Sequence, residues 1–120
     1  MNQKDISLIR KFKKLTVGDV GISSITLSEL NYGVYKSSNV SINKVRLEEF
    51  LMPLEVLAYD EKSSVIYGQI RSQLEKKGQI IGPYDMLIAS HAISEGLILI
   101  TNNEKEFKRI KKLKYKNWIK

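Results

Sequence analysis

The sequence predicts an α/β fold with a mostly parallel sheet flanked by helices, and three observations lead to this prediction. Segments of strand type alternate with segments of helical periodicity along most of the 120 residues, as in strands joined by crossover helices. Residues 97–100 form a continuous apolar run, as expected of a strand that is covered on both faces. The length suits one domain with its own hydrophobic core.

The first three elements follow from apolar spacing and from a helix-capping pattern. Apolar side chains recur at helical spacing over residues 5–15, which predicts an amphipathic helix. Residues 20–24 follow a glycine-containing connection and have the character of a short strand. The segment Thr-Leu-Ser-Glu at residues 26–29 has the spacing of a capping box. A helix is therefore expected to begin there and to run towards Ser37.

The middle of the chain contains a helix, a strand and a second helix. Residues 42–52 are predicted to be helical up to Pro53, which cannot continue a helix. Residues 55–59 contain β-forming side chains and predict a strand. Asp60 is suited to cap the next helix. That helix has apolar residues at four-residue spacing and ends at the Lys-Lys-Gly of residues 76–78.

The last third of the chain continues the alternation of helices and strands. A Gly-Pro-Tyr-Asp turn leads into a predicted helix over residues 86–94, which Gly96 ends. The apolar strand at residues 97–100 follows directly. A short helix over residues 102–109 and an edge strand over residues 115–119 complete the expected order of elements.

The composition excludes several classes of protein. The chain has no cysteine, so disulfide scaffolds, thiolate zinc sites and cysteine nucleophiles are excluded. Its one histidine, His91, argues against a histidine-rich metal site and is expected to pack within its helix. No apolar run approaches the roughly 20 residues of a membrane span, and the first residues lack the apolar stretch of a signal peptide. We therefore predict a cytoplasmic protein with no membrane contact.

The positive charge is concentrated at the two ends of the chain. The net charge is +7, with +4 in residues 1–14, +6 in residues 101–120 and −3 in residues 15–100. Basic segments that flank a mildly acidic body suit a polyanion such as nucleic acid. The alternative interpretation is a solvated, lysine-rich surface.

Polar residues lie where the predicted parallel strands end, which is the usual place for a site in such sheets. Glu29 lies in the helix after the first of these strands, and Asp85 lies at the start of the helix before residues 97–100. Thr101, Asn102 and Asn103 follow the apolar strand directly. Carboxylates and amides that meet at one edge would form an oxygen-rich pocket suited to Mg²⁺ or Mn²⁺.

Each of these residues also has a purely structural explanation. Glu29 has the spacing to close the capping box with Thr26. Asp85 has the position to stabilise a helix N-terminus electrostatically. Asn102 and Asn103 are typical capping and turn residues. The residues alone therefore leave open whether this is a metal site.

Three segments, in the right order and spacing, resemble VapC-type toxins of the PIN domain family. Residues 22–33 (ISSITLSELNYG), 82–92 (GPYDMLIASHA) and 97–107 (LILITNNEKEF) are similar to the second, third and fourth segments of these toxins. Asn117 followed by Trp118 is similar to their usual ending. The resemblance covers nearly the whole chain, and three ordered motifs are far more specific than one.

The resemblance implies a metal-dependent endoribonuclease that is the toxin of a type II toxin–antitoxin pair. Such toxins cut RNA, often transfer RNA, with Mg²⁺ or Mn²⁺, are neutralised by a VapB-type antitoxin and commonly form homodimers. By the same resemblance, Glu29, Asp85 and Asn103 would hold the metal and serve in catalysis. The residues that would line the same pocket are Thr26, Thr101 and Asn102.

The resemblance also implies that one part of the pattern is missing. The family begins with a central strand of the type hydrophobic-Leu-Asp-Thr-Asn, whose Asp is a principal metal ligand. Asp5 does not replace this ligand, because residues 1–4 are too polar and too short to form a buried strand. Residues 1–120 are therefore expected to form one PIN-like domain that is N-terminally truncated, with truncation or a misassigned start favoured over a decayed gene product or a sheet completed by a partner strand. Its flanking strands would face a gap of about 9–10 Å.

The absence of that acid leaves a second function open. The alternative to a ribonuclease is a catalytically inactive PIN-like module that binds RNA or an antitoxin without cutting RNA. An enzyme would need a divalent metal and would lose activity on substitution of Glu29 or Asp85. A binding module would retain its affinity after both changes.

Overall fold

The computed structural model describes residues 7–9 and 20–117, and of residues 7–9 only the backbone. Within these residues the strands are β1 (Ser7–Ile9), β2 (Val20–Ser23), β3 (Glu55–Leu57), β4 (Ile98–Ile100) and β5 (Tyr115–Lys116). The helices are α1 (Ser24–Lys36), α2 (Val40–Leu51), α3 (Glu61–Lys76), α4 (Pro83–Glu95) and α5 (Glu104–Phe107).

The strands form one sheet in the order β3-β2-β1-β4-β5. β2 pairs in parallel with β3, and β4 pairs in parallel with β5. β1 is antiparallel to both of its neighbours, so β2, β3, β4 and β5 all run in one direction. This confirms the predicted α/β fold with a mostly parallel sheet.

The centre of the sheet is occupied, contrary to the expected gap. Ser7–Ile9 lies there as β1, with Leu8 opposite both Gly21 and Leu99. The prediction of a helix over residues 5–15 is therefore wrong at Ser7–Ile9, and the rest of that segment lies outside the described residues. The physical reason is that β2 and β4 would otherwise each expose an unpaired row of N–H and C=O groups.

The start of α1 differs from the sequence prediction. The helix begins at Ser24, and Ser23 is its cap, with its hydroxyl accepting the Ile25 N–H at 3.1 Å. The predicted capping box of Thr26 and Glu29 is therefore wrong, because both residues lie inside the helix. Ser23 is placed to cap because it ends β2 in an extended conformation.

The other helix boundaries agree more closely with the predictions. Asp60 caps α3 as predicted and accepts the Ser63 backbone N–H at 3.0 Å. The Ser63 backbone N–H and hydroxyl together lower the pKa of Asp60. Gly96 ends α4 with a φ of 68°, a left-handed conformation that glycine adopts without strain. α2 begins slightly earlier than expected because Asn39 caps it.

The three remaining predicted elements are shorter in the structure. β3 ends at Leu57, because the Tyr59 N–H donates to the Ser24 hydroxyl at 3.0 Å instead of to the sheet. The helix predicted over residues 102–109 is limited to α5. β5 lies at the sheet edge as expected, and the prediction for residues 118 and 119 falls outside the described part of the chain.

The hydrophobic core lies between the sheet and helices α3 and α4, and α5 closes it at one side. Leu99 and Phe107 are fully buried in it, together with Ala89 and Ala92 of α4. No helix within the described residues is long and apolar enough to cross a membrane. The core thus fixes the ends of β2 and β4 relative to α4, and these ends carry the predicted site.

Candidate active site

The predicted site residues lie at the carboxyl edge of the sheet, the edge at which the parallel strands end. α1, which carries Glu29, starts from the end of β2, and the Thr101–Asn103 segment starts from the end of β4. α4 ends where β4 begins, so its first turn, with Asp85, lies towards the same carboxyl edge. The topology therefore gathers three separate segments on one side of the sheet.

Glu29 is available for a role other than helix capping. It is the sixth residue of α1, and Ser23 already caps that helix. Its side chain is exposed to solvent. The capping explanation for Glu29 is therefore wrong, and its carboxylate is accessible at the carboxyl edge.

Asp85 lies in the first turn of α4. Gly82 is the cap of that helix and offers no side-chain hydrogen bond, and Pro83 begins the helix. The Asp85 carboxylate stands close to the cap, since its Oδ2 lies 3.8 Å from the position that a Cβ on Gly82 would occupy. The helix dipole favours this negative charge, so the electrostatic role of Asp85 is compatible with binding a cation.

The segment after β4 orients Asn103. Thr101 is buried, and its Oγ1 accepts the Asn103 backbone N–H at 3.0 Å. Asn103 is the cap of α5 by position, but its side chain makes no capping hydrogen bond. The capping explanation therefore does not account for the Asn103 amide, whereas Asn102 is exposed in the bend, as a turn residue would be.

Thr26 carries an unsatisfied buried hydroxyl. Its Oγ1 has no hydrogen-bond partner within the described residues, although the side chain is only 9% exposed. Leaving such a group unpaired costs about 1–3 kcal/mol, so a further polar partner is expected. Thr26 precedes Glu29 by three positions and therefore shares its helix face.

The donor set fits a hard divalent cation. Glu29 and Asp85 supply carboxylate oxygens and Asn103 an amide oxygen, which are the ligand types that Mg²⁺ and Mn²⁺ prefer. No three His, Cys, Asp or Glu side chains come together within the described residues. The protein therefore offers few carboxylates here, and substrate phosphate or water would have to complete the coordination.

The structure adds one pair that the sequence did not predict. The Ser23 Oγ lies 2.8 Å from the Nδ1 of His91, and both side chains are fully buried. The Ser23 oxygen also accepts the Ile25 N–H, and its O–H donates to Nδ1 in the histidine tautomer that is protonated at Nε2. The pair joins the β2–α1 junction to α4, and so connects the two helices that carry Glu29 and Asp85. The 68 residues between the partners leave no local signal for this contact.

Burial favours the neutral form of His91. Burial lowers the pKa of His91 below its ordinary value of 6.5, while the charges of Glu95 and Asp60 and the Ala58 carbonyl act in the opposite direction. The Nε2 of His91 lies 3.9 Å from the Glu95 carboxylate, and the ring of Tyr59 packs edge-on against the imidazole.

The buried histidine predicts a pH-dependent stability. Below about pH 6.5 the unfolded chain takes up a proton at His91 that the folded protein does not, so the free energy of unfolding falls by up to about 1.4 kcal/mol per pH unit. This loss continues until the pH has fallen through the pKa of the folded state. Urea unfolding of the wild type and of His91→Gln between pH 5 and 8 measures it. Parallel pH curves for the two proteins would contradict the prediction.

The chain matches a known family along most of its length. Residues 4–113 match the model of the PIN domain. The chain is 52% identical over 101 residues to ribonuclease VapC2 of Rickettsia felis, which covers 84% of this chain and 75% of that protein. It is 46% identical over 110 residues to the tRNA(fMet)-specific endonuclease VapC of Salmonella typhimurium, covering 92% and 83% of the two chains.

Solved structures share the fold. The VapBC2 structure from Rickettsia felis, bound to a DNA fragment from its promoter, superimposes with a TM-score of 0.79 at 52% identity, over 82% of this chain and 74% of that chain. The VapBC-1 structure from nontypeable Haemophilus influenzae superimposes with a TM-score of 0.84 at 35% identity, over 90% of this chain and 81% of that chain.

Proposed function

This chain belongs to the PIN domain family and is a homologue of VapC ribonucleases, and on that premise we propose that it cleaves RNA at the carboxyl edge of its sheet. The observation that carries the proposal is the placement of Glu29, Asp85 and Asn103 towards that edge by three separate segments, with Glu29 exposed and the Asn103 side chain making no capping hydrogen bond.

We propose that Glu29, Asp85 and Asn103 hold one divalent cation, Mg²⁺ or Mn²⁺. When bound there, the cation supplies activation of water and neutralisation of charge on the phosphate. Thr101 holds the Asn103 backbone in place by the hydrogen bond to its N–H. The unpaired Thr26 hydroxyl is a group that would orient a water or a substrate oxygen beside the carboxylates.

The proposed substrate is RNA, with transfer RNA as the first to be tested. The relative from Salmonella typhimurium is named a tRNA(fMet)-specific endonuclease. The net charge of +7 supports binding of a polyanion. Because the carboxylates would repel a phosphate, the basic side chains must bind the RNA away from the cation.

We also propose that a VapB-type antitoxin binds this chain and that the toxin forms homodimers. The structural neighbours include VapBC structures, of which those from Rickettsia felis and Salmonella typhimurium are bound to DNA. The first two helices expose large apolar side chains, the kind of surface that protein partners cover. These side chains are Tyr32, Tyr35, Ile42, Val45 and Phe50. A cytoplasmic location stays a prediction.

The experiment that tests the nuclease incubates the protein with total RNA and with tRNA(fMet), in Mg²⁺ or Mn²⁺ and with EDTA. We expect cleavage with either metal and none in EDTA, since the two carboxylates and the amide need a cation to act on a phosphate. Cleavage that persists in EDTA would contradict a metal-dependent site. No cleavage, together with retained RNA or antitoxin binding, would favour the inactive binding module, which the small number of carboxylates also favours.

A further inference from the structure

A basic groove lies between the end of α3 and the segment that leads into β5. It has a volume of about 140 Å³. Its floor is apolar and consists of Ile70, Leu74 and Ile110. Its rim carries four cationic side chains, which are Lys77, Arg109, Lys111 and Lys112. We call this feature the basic groove.

The basic groove lies at the opposite edge of the sheet from the candidate active site. α3 starts after the end of β3 and runs antiparallel to that strand. Its last turns therefore lie at the amino edge, the edge at which the parallel strands begin. Residues 109–112 shortly precede β5, which is parallel to β4, so this segment also lies at the amino edge. The groove is therefore a separate surface and shares no residue with the site of Glu29 and Asp85.

The rim cations are free to bind an anion. Within the described part of the chain, Lys77, Lys111 and Lys112 form no ion pair, and all three are exposed. The guanidinium of Arg109 is fixed by the bond from its Nη1 to the Ile80 carbonyl at 2.9 Å, which leaves its other N–H groups available. The nearby acid Glu75 pairs with Arg71 at 3.1 Å.

The electrostatics of the groove favour a polyanion. The partial negative charge at the C-terminus of α3, about half an elementary charge, is much smaller than the four full positive charges on the rim. A cleft of one charge sign with apolar walls also concentrates the field. Four cations within one groove match the phosphates of a nucleic acid backbone better than a single small anion.

We propose that the basic groove binds the phosphate backbone of the RNA substrate, away from the site of cleavage. The inference rests on the proposed ribonuclease function for the identity of the polyanion. The molecule measures 45 × 34 × 32 Å, so a folded RNA such as a tRNA is long enough to reach both edges. A dinucleotide cleaved at the carboxyl edge has a single phosphodiester, which cannot occupy both the site and the groove.

The test measures binding of fluorescent tRNA(fMet) in EDTA, where no cleavage occurs, as a function of salt. We expect Lys111→Glu/Lys112→Glu to weaken binding about 10-fold at low salt and to reduce the slope of log K against log salt by roughly 1–1.5. The matched control is Lys44→Glu/Arg46→Glu, two exposed cations of α2, which should change the affinity less than about 2-fold. Equal weakening by both double variants would overturn the proposal, because the effect would then be one of net charge.

Further measurements distinguish RNA binding at the groove from the nuclease proposal and from binding of an acidic protein. In Mn²⁺, the groove variant should raise KM for the tRNA and leave the cleavage of a dinucleotide unchanged. If the wild type cleaves no RNA and the groove variant still loses tRNA affinity, the proposal that the groove binds RNA is supported and the nuclease proposal fails. If cleavage is normal and the groove variant binds tRNA as the wild type does, the groove proposal fails. Loss of binding to poly-L-glutamate alone would instead assign the groove to an acidic protein. If the charge-reversed protein does not fold, the charge-neutral variant Lys111→Gln/Lys112→Gln replaces it in these measurements.

Discussion

Replacing Asp85 with alanine is expected to reduce RNA cleavage by about 100-fold or more. A metal centre supplies several kcal/mol of transition-state stabilisation, and each 1.36 kcal/mol corresponds to about a factor of ten in rate. Asp85 is one of the two carboxylates proposed to hold the cation, so its loss leaves Glu29 as the only charged ligand proposed there. The measurement is the single-turnover rate on tRNA in Mn²⁺.

Two controls show whether this loss comes from the metal. Asp85→Asn keeps the size of the side chain and removes its charge, so it should lose nearly as much activity as the alanine variant. Glu48→Ala removes an exposed acid of α2 and should retain the wild-type rate. Mn²⁺ should raise the melting temperature of the wild type, by binding the folded state, and not that of Asp85→Ala. Wild-type activity of Asp85→Asn would contradict the assignment of Asp85 as a metal ligand.

The substitution Phe107→Ala is expected to cost about 3–5 kcal/mol of unfolding free energy. Phe107 is fully buried in the core cluster that also contains Leu99, Ile110 and Leu113, and its loss leaves a large cavity in a small core. α5 is only four residues long, so it depends on this side chain for its position. The free energy of unfolding, measured in urea, tests the prediction.

Phe50→Ala is the matched control for this change. It removes the same side chain from α2, where Phe50 is 40% exposed, and should cost about 1–2 kcal/mol. Because α5 begins directly after Asn103, Phe107→Ala should also reduce cleavage beyond what its unfolded fraction explains. Equal stability losses in the two variants would contradict the burial of Phe107.

Much of the fold follows from local sequence. The caps Asp60 and Gly96 act at the positions predicted for them, because a cap depends on residues within one helical turn. β4 lies within the apolar run predicted as a buried strand. The order of elements and the family also follow from the sequence, since the motif segments are contiguous and resemble VapC-type toxins in order and spacing.

The candidate site was only partly predictable. The sequence points to Glu29, Asp85 and Asn103 through their positions beside predicted strands and helix starts and through the resemblance. Whether Glu29 closes a capping box was decided by Ser23, which the sequence did not single out as the cap of α1. The serine takes this position because β2 ends there, and the end of a strand depends on its partner in the sheet.

What the sequence determined by itself is the set of local elements and the chemistry of the candidate residues. What only the tertiary structure decided depends on contacts between distant segments: the antiparallel β1 in the centre of the sheet, the buried Ser23–His91 hydrogen bond and the basic groove between α3 and residues 109–112. Apolar periodicity at Ser7–Ile9 favours a helix, yet two unpaired strand edges on either side stabilise an extended segment more strongly. Pairing of backbone groups across the sheet, which no local pattern encodes, therefore overrides local propensity.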